Sequence, residues 1–368
     1  MSDRIFSNIN KIIERDSKAT TYKFALLRGV IDIIQDNSPY IFLTDDKASV
    51  PTGLLIEKWL IYYYPIIESD IPQIHGESSL AFNSHLRKLI LAYRGSNGFS
   101  EFYNDLRNKG IPSSLCPDFK ALARQLYKTI TGMPMKHIGY SLNNDFYSIF
   151  SYEKPHTSFN PPRIDIDFLI YNFGSFSIPI EYYNAFKLPG SFINGQDSIL
   201  FKWAEFSVNA SRKNLTIEKV ISDVLKNPVT ERDALESKQI YHNALIKDGK
   251  LPCVWTGRPL NDYHVDHVIP FSVWRNNDLW NLLPTHPAIN NRKKDKIPSV
   301  ELVEKRKEMI FYYWDLNDEC CNERFHREMK FSLLGNNDTG DWKVAALEKL
   351  QKNCHYLISE RGYEEWKI

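Results

Sequence analysis

Cysteine is scarce in this chain and is not arranged in pairs. Among 368 residues there are five: Cys116, Cys253, Cys320, Cys321 and Cys354. An odd number without regular spacing argues against a disulfide framework. No Cys-x-x-Cys pair occurs, so the usual ligand set of a structural zinc knot is missing. An excess of one charge is missing too: 46 Lys plus Arg stand against 45 Asp plus Glu, a formal net charge of +1. Global charge therefore neither favours nor excludes a nucleic-acid partner, and any electrostatic footprint has to be local. No apolar run approaches the roughly 18 residues needed to span a bilayer. The first residues, "MSDRIFSNINKIIERDSKATTYK", are charged and lack the apolar core of a signal peptide. Internal repeats and low-complexity segments are also lacking. These absences point to a cytoplasmic protein without a membrane partner.

What is present is enough for a large core. Hydrophobic residues make up 43% and aromatics 13%, and the length allows two or three domains. The first 150 residues read as mainly helical. In "SKATTYKFALLRGVIDIIQD", Phe24, Leu27, Val30, Ile31 and Ile34 share one helical face. "GLLIEKWLIYYYPII" predicts a buried helix stopped by Pro65, and "DFKALARQLYKTITG" a helix ending at Gly132. Near residue 145 the texture changes. "DFYSIFSY" reads as a strand, and so does "RIDIDFLIYNF", where Ile164, Ile166 and Phe168 alternate with Asp165 and Asp167. The loop "EKPHTSFNPPR" separates them. Asp165 and Asp167 with Glu181 could ligate a metal, but no Glu-x-Lys pair accompanies them, and a solvated strand face is the better account. Helices return after the Pro189-Gly190 turn, "KDGKLP" reads as a linker, and the stretches 300–332 and 342–362 are helical in pattern.

One stretch concentrates chemistry: "YHVDHVIPFSVWRNNDLWNLLPTHPAINNRKKDKIPS", Tyr263 to Ser299. "YHVDHVIP" alternates as a strand, with Tyr263, Val265 and His267 on one face and His264, Asp266 and Val268 on the other. "LWNLLP" predicts a second strand stopped by Pro284, and "PAINNRKKDK" a helix with Pro287 in its first turn. Strand, loop, strand and helix could bring Asp266 and His267 close to Asn290. Phosphodiester hydrolysis needs an activated water, neutralisation of transition-state charge and help for the leaving oxygen. Asp266 and Asn290 are hard oxygen donors suited to Mg²⁺ or Mn²⁺. His267, on the opposite strand face, can stay unligated and serve as a general base near neutral pH. Arg292, Lys293, Lys294 and Lys296 follow and could clamp phosphates. From Lys250 to Val300, seven basic residues against four acidic give +3, whereas Glu301 onward holds eleven basic against fourteen acidic. Positive charge is thus gathered around the candidate site.

This stretch resembles the ββα-metal motif of HNH endonucleases, in which an Asp-His pair lies on the first strand, an Asn in the middle and an Asn or His on the helix. The elements here are Asp266-His267, Asn281, and Asn290 within "NNRK". The similarity extends to the HNH domain of RNA-guided CRISPR nucleases. Cys253, Trp255, Thr256 and Gly257, then Val265 to Pro270 with Ser272, then Asp295 to Ser299 match its flanking pieces. The resemblance implies a general base at His267, metal ligands at Asp266 and Asn290 (or its neighbour Asn291), and a loop brace at Asn281. His264 stands where the CRISPR-type domains carry a carboxylate, leaving it open as ligand, phosphate contact or spectator. His286 could serve the metal or a phosphate, or cap the helix. The resemblance covers about 50 residues and does not extend to guide-RNA machinery. "ATTYKFALLRGVIDII" and "ILFKWAEFS" resemble segments of bacterial restriction or phage-defence HNH proteins.

The expected architecture is α+β and predominantly helical. It comprises a helix-rich recognition or partner-binding domain over 1–235 with a small sheet around 145–185, a ββα-metal unit over 250–300, and a helical segment over 301–368. The expected activity is metal-dependent DNA cleavage in restriction or phage defence, by a homodimer or within a larger complex. A nuclease subunit whose partners supply specificity and a retired HNH DNA-binding protein are the alternatives.

Overall fold

The computed structural model describes residues 19–76, 78–138, 148–154, 161–187, 193–211, 215–223, 232–336 and 340–368. The charged segment before Ala19, residues 145–147 of the expected strand and most of the loop over 155–160 lie outside them. The fold is α+β and predominantly helical. The chain divides into two compact units, Met1–Asp36 with Tyr40–Pro228, and Asn37–Pro39 with Val229–Ile368. Among the described residues, no helix is long and apolar enough to cross a membrane.

The first unit is built on α1 (Tyr22–Gln35), which packs on the helix that follows two short strands, β1 (Phe42–Leu43) and β2 (Lys47–Pro51). That helix is α2 (Thr52–Glu68). The apolar face expected from Phe24 to Ile34 is buried in full. Tyr22 stacks on Trp59 with ring centroids 5.6 Å apart, and Tyr63 meets Phe82 edge-on at 5.0 Å. Each such ring contributes roughly 1.5–3 kcal/mol of burial. Pro65 does not stop α2, which runs on to Glu68. Ile66 and Ile67 beyond it are buried, and their packing outweighs the one backbone bond that proline removes. Further helices are α3 (Asn83–Tyr93) and α4 (Cys116–Gly132), the latter ending at the expected glycine.

After these come β3 (Ser151–Glu153), α5 (Ile166–Asn172) and β4 (Ser175–Pro179). The alternation over 164–168 is therefore not a strand. Asp165 instead caps α5, its Oδ1 accepting from the Asp167 N–H at 3.0 Å. Ile166, Leu169 and Ile170 follow at helical spacing and are buried. The acid pair is thus helix-initiating rather than a solvated strand face. The sheet has the order β1-β2-β4-β3, with Val50 opposite Phe176 and Phe176 opposite Tyr152. It draws two strands from residues 42–51, well before the region where a sheet was expected. Gly53 lets α2 approach α5 closely: a Cβ there would stand 2.0 Å from the Leu169 carbonyl oxygen.

The second unit opens with α6 (Leu235–Asp248), capped by Gly249 in the left-handed region at φ +68. "KDGKLP" is therefore a tight helix-to-strand connection inside this unit rather than a linker. Strands β5 (Leu251–Pro252) and β6 (Pro259–Leu260) form a hairpin. Next come β7 (His264–His267), β8 (Leu282–Thr285) and α7 (Pro287–Lys293). The strands β7 and β8 pair antiparallel, with Asp266 opposite Leu283 and Val265 opposite Pro284. Pro284 lies within β8 rather than ending it; its carbonyl accepts from the Val254 N–H at 3.0 Å. The chain continues through β9 (Ile297–Pro298), α8 (Val300–Lys305), the long α9 (Lys307–Met329) and α10 (Trp342–Ser359) to β10 (Glu365–Trp366), which pairs parallel with β9. One core joins all of these. Tyr241 of α6, Trp255, Trp280, Trp314 and Leu350 are buried together. This unit begins at Val229 and does not divide near residue 300, because the apolar faces of α9 and α10 are buried against the strand region.

Candidate nuclease site

The expected local order of two strands and a helix is what the chain forms. The strand β7 has two chemical faces, and each is engaged by a different neighbour.

The first face carries His264 and Asp266 and meets α7. Asn290 Nδ2 lies 3.3 Å from His264 Nδ1. One turn on, Lys293 Nζ donates to Asp266 Oδ1 at 3.2 Å and to the His267 carbonyl at 2.6 Å. It also lies 3.2 Å from Asp266 Oδ2. Strand residues two apart thus meet helix residues three apart, one to one. Asp266 Oδ2 accepts in addition from Trp255 Nε1 at 3.0 Å. The indole of Trp255 is buttressed edge-on by Trp366 of β10, with centroids 5.2 Å apart. The Lys293 side chain is 0% exposed and that of Asp266 6%. Lys293 was expected to clamp a phosphate, and the structure contradicts this. Its ammonium is buried on the carboxylate because the curl of α7 turns position 293 inward. No bond joins Asp266 to Asn290 directly.

The second face carries His267. Its Nε2 lies 3.2 Å from Asn277 Oδ1, and its ring packs on Phe271 with centroids 5.5 Å apart. The carboxamide oxygen, as assigned, faces the ring, an arrangement that suits the tautomer with the proton on Nε2 and the lone pair on Nδ1. Burial is the chief cause that lowers the His267 pKa from its ordinary 6.5. The Asn277 bond and the Asp266 charge oppose this, and the Arg232 and Lys293 charges add to it. A neutral imidazole is what a general base requires.

Asn281 holds the loop between the strands. Its Oδ1 accepts from the Ile269 N–H at 2.8 Å and its Nδ2 donates to the Ile269 carbonyl at 3.0 Å. The Val268 N–H donates to the Asn281 carbonyl at 2.8 Å. His286 is the N-cap of α7, its Nδ1 accepting from the Ala288 N–H at 3.1 Å. Arg292 and Lys294 are exposed, while Lys296 is half-buried and ion-paired with Glu364. Cys253 is buried, with its sulfur accepting from the His286 N–H at 3.4 Å. Among the described residues, no group of three His, Cys, Asp or Glu side chains is placed to hold a metal ion.

Two residues at this site were not singled out in the sequence. Asn277 is one of three consecutive polar residues in "NND", and only the loop's path shows that its amide reaches His267. Trp255 was noted as part of a flanking match, but its indole hydrogen bond to Asp266 depends on where the β5–β6 hairpin folds.

Comparison with known proteins places this region in a family. Residues 253–299 match the family model described as HNH endonuclease. The module is thus an HNH endonuclease domain, a nuclease class. Residues 2–224 match the model of a domain of unknown function, DUF8808, and this chain belongs to that family. A stretch of 108 residues is 32% identical to the CRISPR-associated endonuclease Cas9 of Listeria innocua serovar 6a, covering 27% of this chain. The chain spans only 8% of that relative's length. No solved structure matches the chain.

Proposed function

We propose that this chain is a divalent-metal-dependent DNA endonuclease acting in restriction or phage defence. The observation that carries the reading is the division of labour across β7. A histidine held neutral and oriented by Asn277 stands on one face. On the other, the Asp266 carboxylate faces α7, which carries the Asn290 carboxamide. His267 would take a proton from the attacking water at Nδ1. Asn281 keeps the loop rigid by holding both backbone groups of Ile269.

The donor chemistry fits a hard cation. A carboxylate offers about four acceptor positions. The Asp266 carboxylate receives Lys293 at both oxygens and Trp255 at Oδ2, which leaves room on Oδ1. Asn290, whose Nδ2 faces His264, has its Oδ1 to offer. One carboxylate and one carboxamide suit Mg²⁺ or Mn²⁺, which keep several waters when bound. Such an ion would neutralise charge on the phosphoryl oxygens and help the leaving oxygen depart. Lys293 neutralises the buried carboxylate, and Arg292 and Lys294 offer exposed charge to phosphates. The likeness to Cas9 over 108 residues and the concentration of +3 over Lys250–Val300 support DNA as substrate. The first unit, which ends at Pro228, would then recognise the substrate or a partner. Cutting both strands with one such site would take a second copy or a second event.

The test is incubation of supercoiled plasmid with the full chain in Mg²⁺, Mn²⁺ or EDTA, beside His267→Ala. Cleavage should require the metal. It should fall by about 10²–10⁴-fold in the variant while DNA binding persists. Native chain that leaves plasmid intact in every metal, or His267→Ala cutting as well as native, would sink the proposal.

A further inference from the structure

The HNH match ends at Ser299, yet the loop that reaches His267 is held from well beyond it. Asn277 lies in the segment Arg275–Asn281. Within this segment, Asp278 Oδ2 accepts from Asn276 Nδ2 at 2.6 Å and Trp280 Nε1 at 3.0 Å, and the Asp278 N–H donates to Asn276 Oδ1 at 2.9 Å. The segment's backbone is then secured by α9. The Leu279 N–H donates to Glu328 Oε2 at 2.7 Å. Asn317 Nδ2 donates to the Leu279 carbonyl and Trp314 Nε1 to the Trp280 carbonyl, each at 3.1 Å. One turn past α9, Ser332 Oγ donates to Asp278 Oδ2 at 2.5 Å.

Glu328 is nearly fully buried and is held in turn by Arg324, whose Nε donates to Oε1 at 2.6 Å. Arg324 also pairs with Glu236 of α6. Burial, with the nearby Asp278 charge, pushes the Glu328 carboxyl up to about 8. Both oxygens of this buried carboxyl group are bonded, one to the Leu279 N–H and the other to Arg324. Its backbone partner is the residue two positions after Asn277.

We propose that α9 is part of the catalytic apparatus: Glu328, with Asn317 and Ser332, sets the Arg275–Asn281 loop so that Asn277 orients the His267 ring. Glu328 is a positioning residue, acting through Asn277. This rests on the nuclease reading above for its effect on rate, but not for its effect on the ring.

The test compares native chain, Asn277→Ala, Glu328→Ala, Glu328→Gln and the double variant Asn277→Ala with Glu328→Ala. Two readouts are taken: the His267 ring ¹⁵N shifts at one pH without metal, and single-turnover cleavage beside DNA affinity in EDTA. Glu328→Ala should move the His267 shifts toward those of Asn277→Ala. It should slow cleavage by roughly 10- to 100-fold at unchanged affinity. Glu328→Gln keeps an acceptor for the Leu279 N–H and should recover part of the rate. The double variant should be no slower than Asn277→Ala alone. If Glu328→Ala fails to fold, Glu328→Gln and Ser332→Ala give the same shifts in smaller measure. Native His267 shifts in the folded variants, or rate losses that multiply in the double variant, overturn the proposal. If the native chain cuts nothing, the nuclease reading fails while the ring shifts still decide this one.

Discussion

The two faces of β7 solve opposite problems with adjacent residues. On the face toward α7, Asp266 is buried and its charge is answered by Lys293 and the Trp255 indole, so that carboxylate is compensated. On the face toward the loop, His267 has no carboxylate bonded to it; a neutral amide from Asn277 orients it, and burial keeps it uncharged. A buried charge needs a counter-charge, whereas a base needs its lone pair left available. Alternation along a strand lets one short segment satisfy both, because successive side chains leave the backbone in opposite directions. The lesson extends to the flanks. The compensated face depends on Trp366 of β10 through Trp255, and the poised face on Glu328 of α9 through the loop.

The comparison can be broken most severely on the compensated face. Lys293→Met leaves Asp266 buried without a counter-charge and should cost about 3–5 kcal/mol of stability, read by denaturant unfolding. Adding Asp266→Asn should return much of that loss, since no ion then stays buried. If Lys293→Met unfolds like the native chain, the ion pair is not holding that face. The loop face should break more gently. Asn281→Ala leaves the Ile269 N–H and carbonyl without their side-chain partner, a loss of about 1–3 kcal/mol by the same measurement. An unchanged melting transition would show that the loop does not lean on Asn281.

The smallest effect is in pH. The folded protein holds His267 below 6.5, so as the solution becomes acidic the unfolded chain takes up the proton first. Stability from this residue is complete above pH 6.5 and is lost as pH falls from there through the lower folded value. The His267 ring signals of metal-free protein should accordingly titrate with a midpoint below 6.5, and one above it would contradict the burial argument. The corresponding limb of cleavage should rise with pH on the acid side of 6.5.

Much of the site was legible in the letters. Asp266, His267, Asn281 and Asn290 stand in local order, and a two-strand-and-helix unit has few ways to fold. Pro287 and the helix start at His286 were readable for the same reason. Lys293 was misplaced because a basic run looks solvated in one dimension, while its helical phase turns one member inward. The strand expected at 164–168 failed on a similar ambiguity: three alternating apolar residues are also the start of a helix when an aspartate stands ready to cap it. The strands at 42–51 were missed because five residues such as "KASVP" hold too little pattern to stand out before their partner β4 is known.

The sequence by itself determined the chemistry of this protein: which side chains can donate oxygen, which can carry a proton at neutral pH, and which alternate across a strand. Those properties belong to residues and their near neighbours. Tertiary structure alone decided which of the basic residues is buried on Asp266, that Asn277 rather than another amide reaches His267, and that residues 30 to 100 positions away support both. These depend on long-range packing of tryptophans and helices, whose contacts no local spacing encodes.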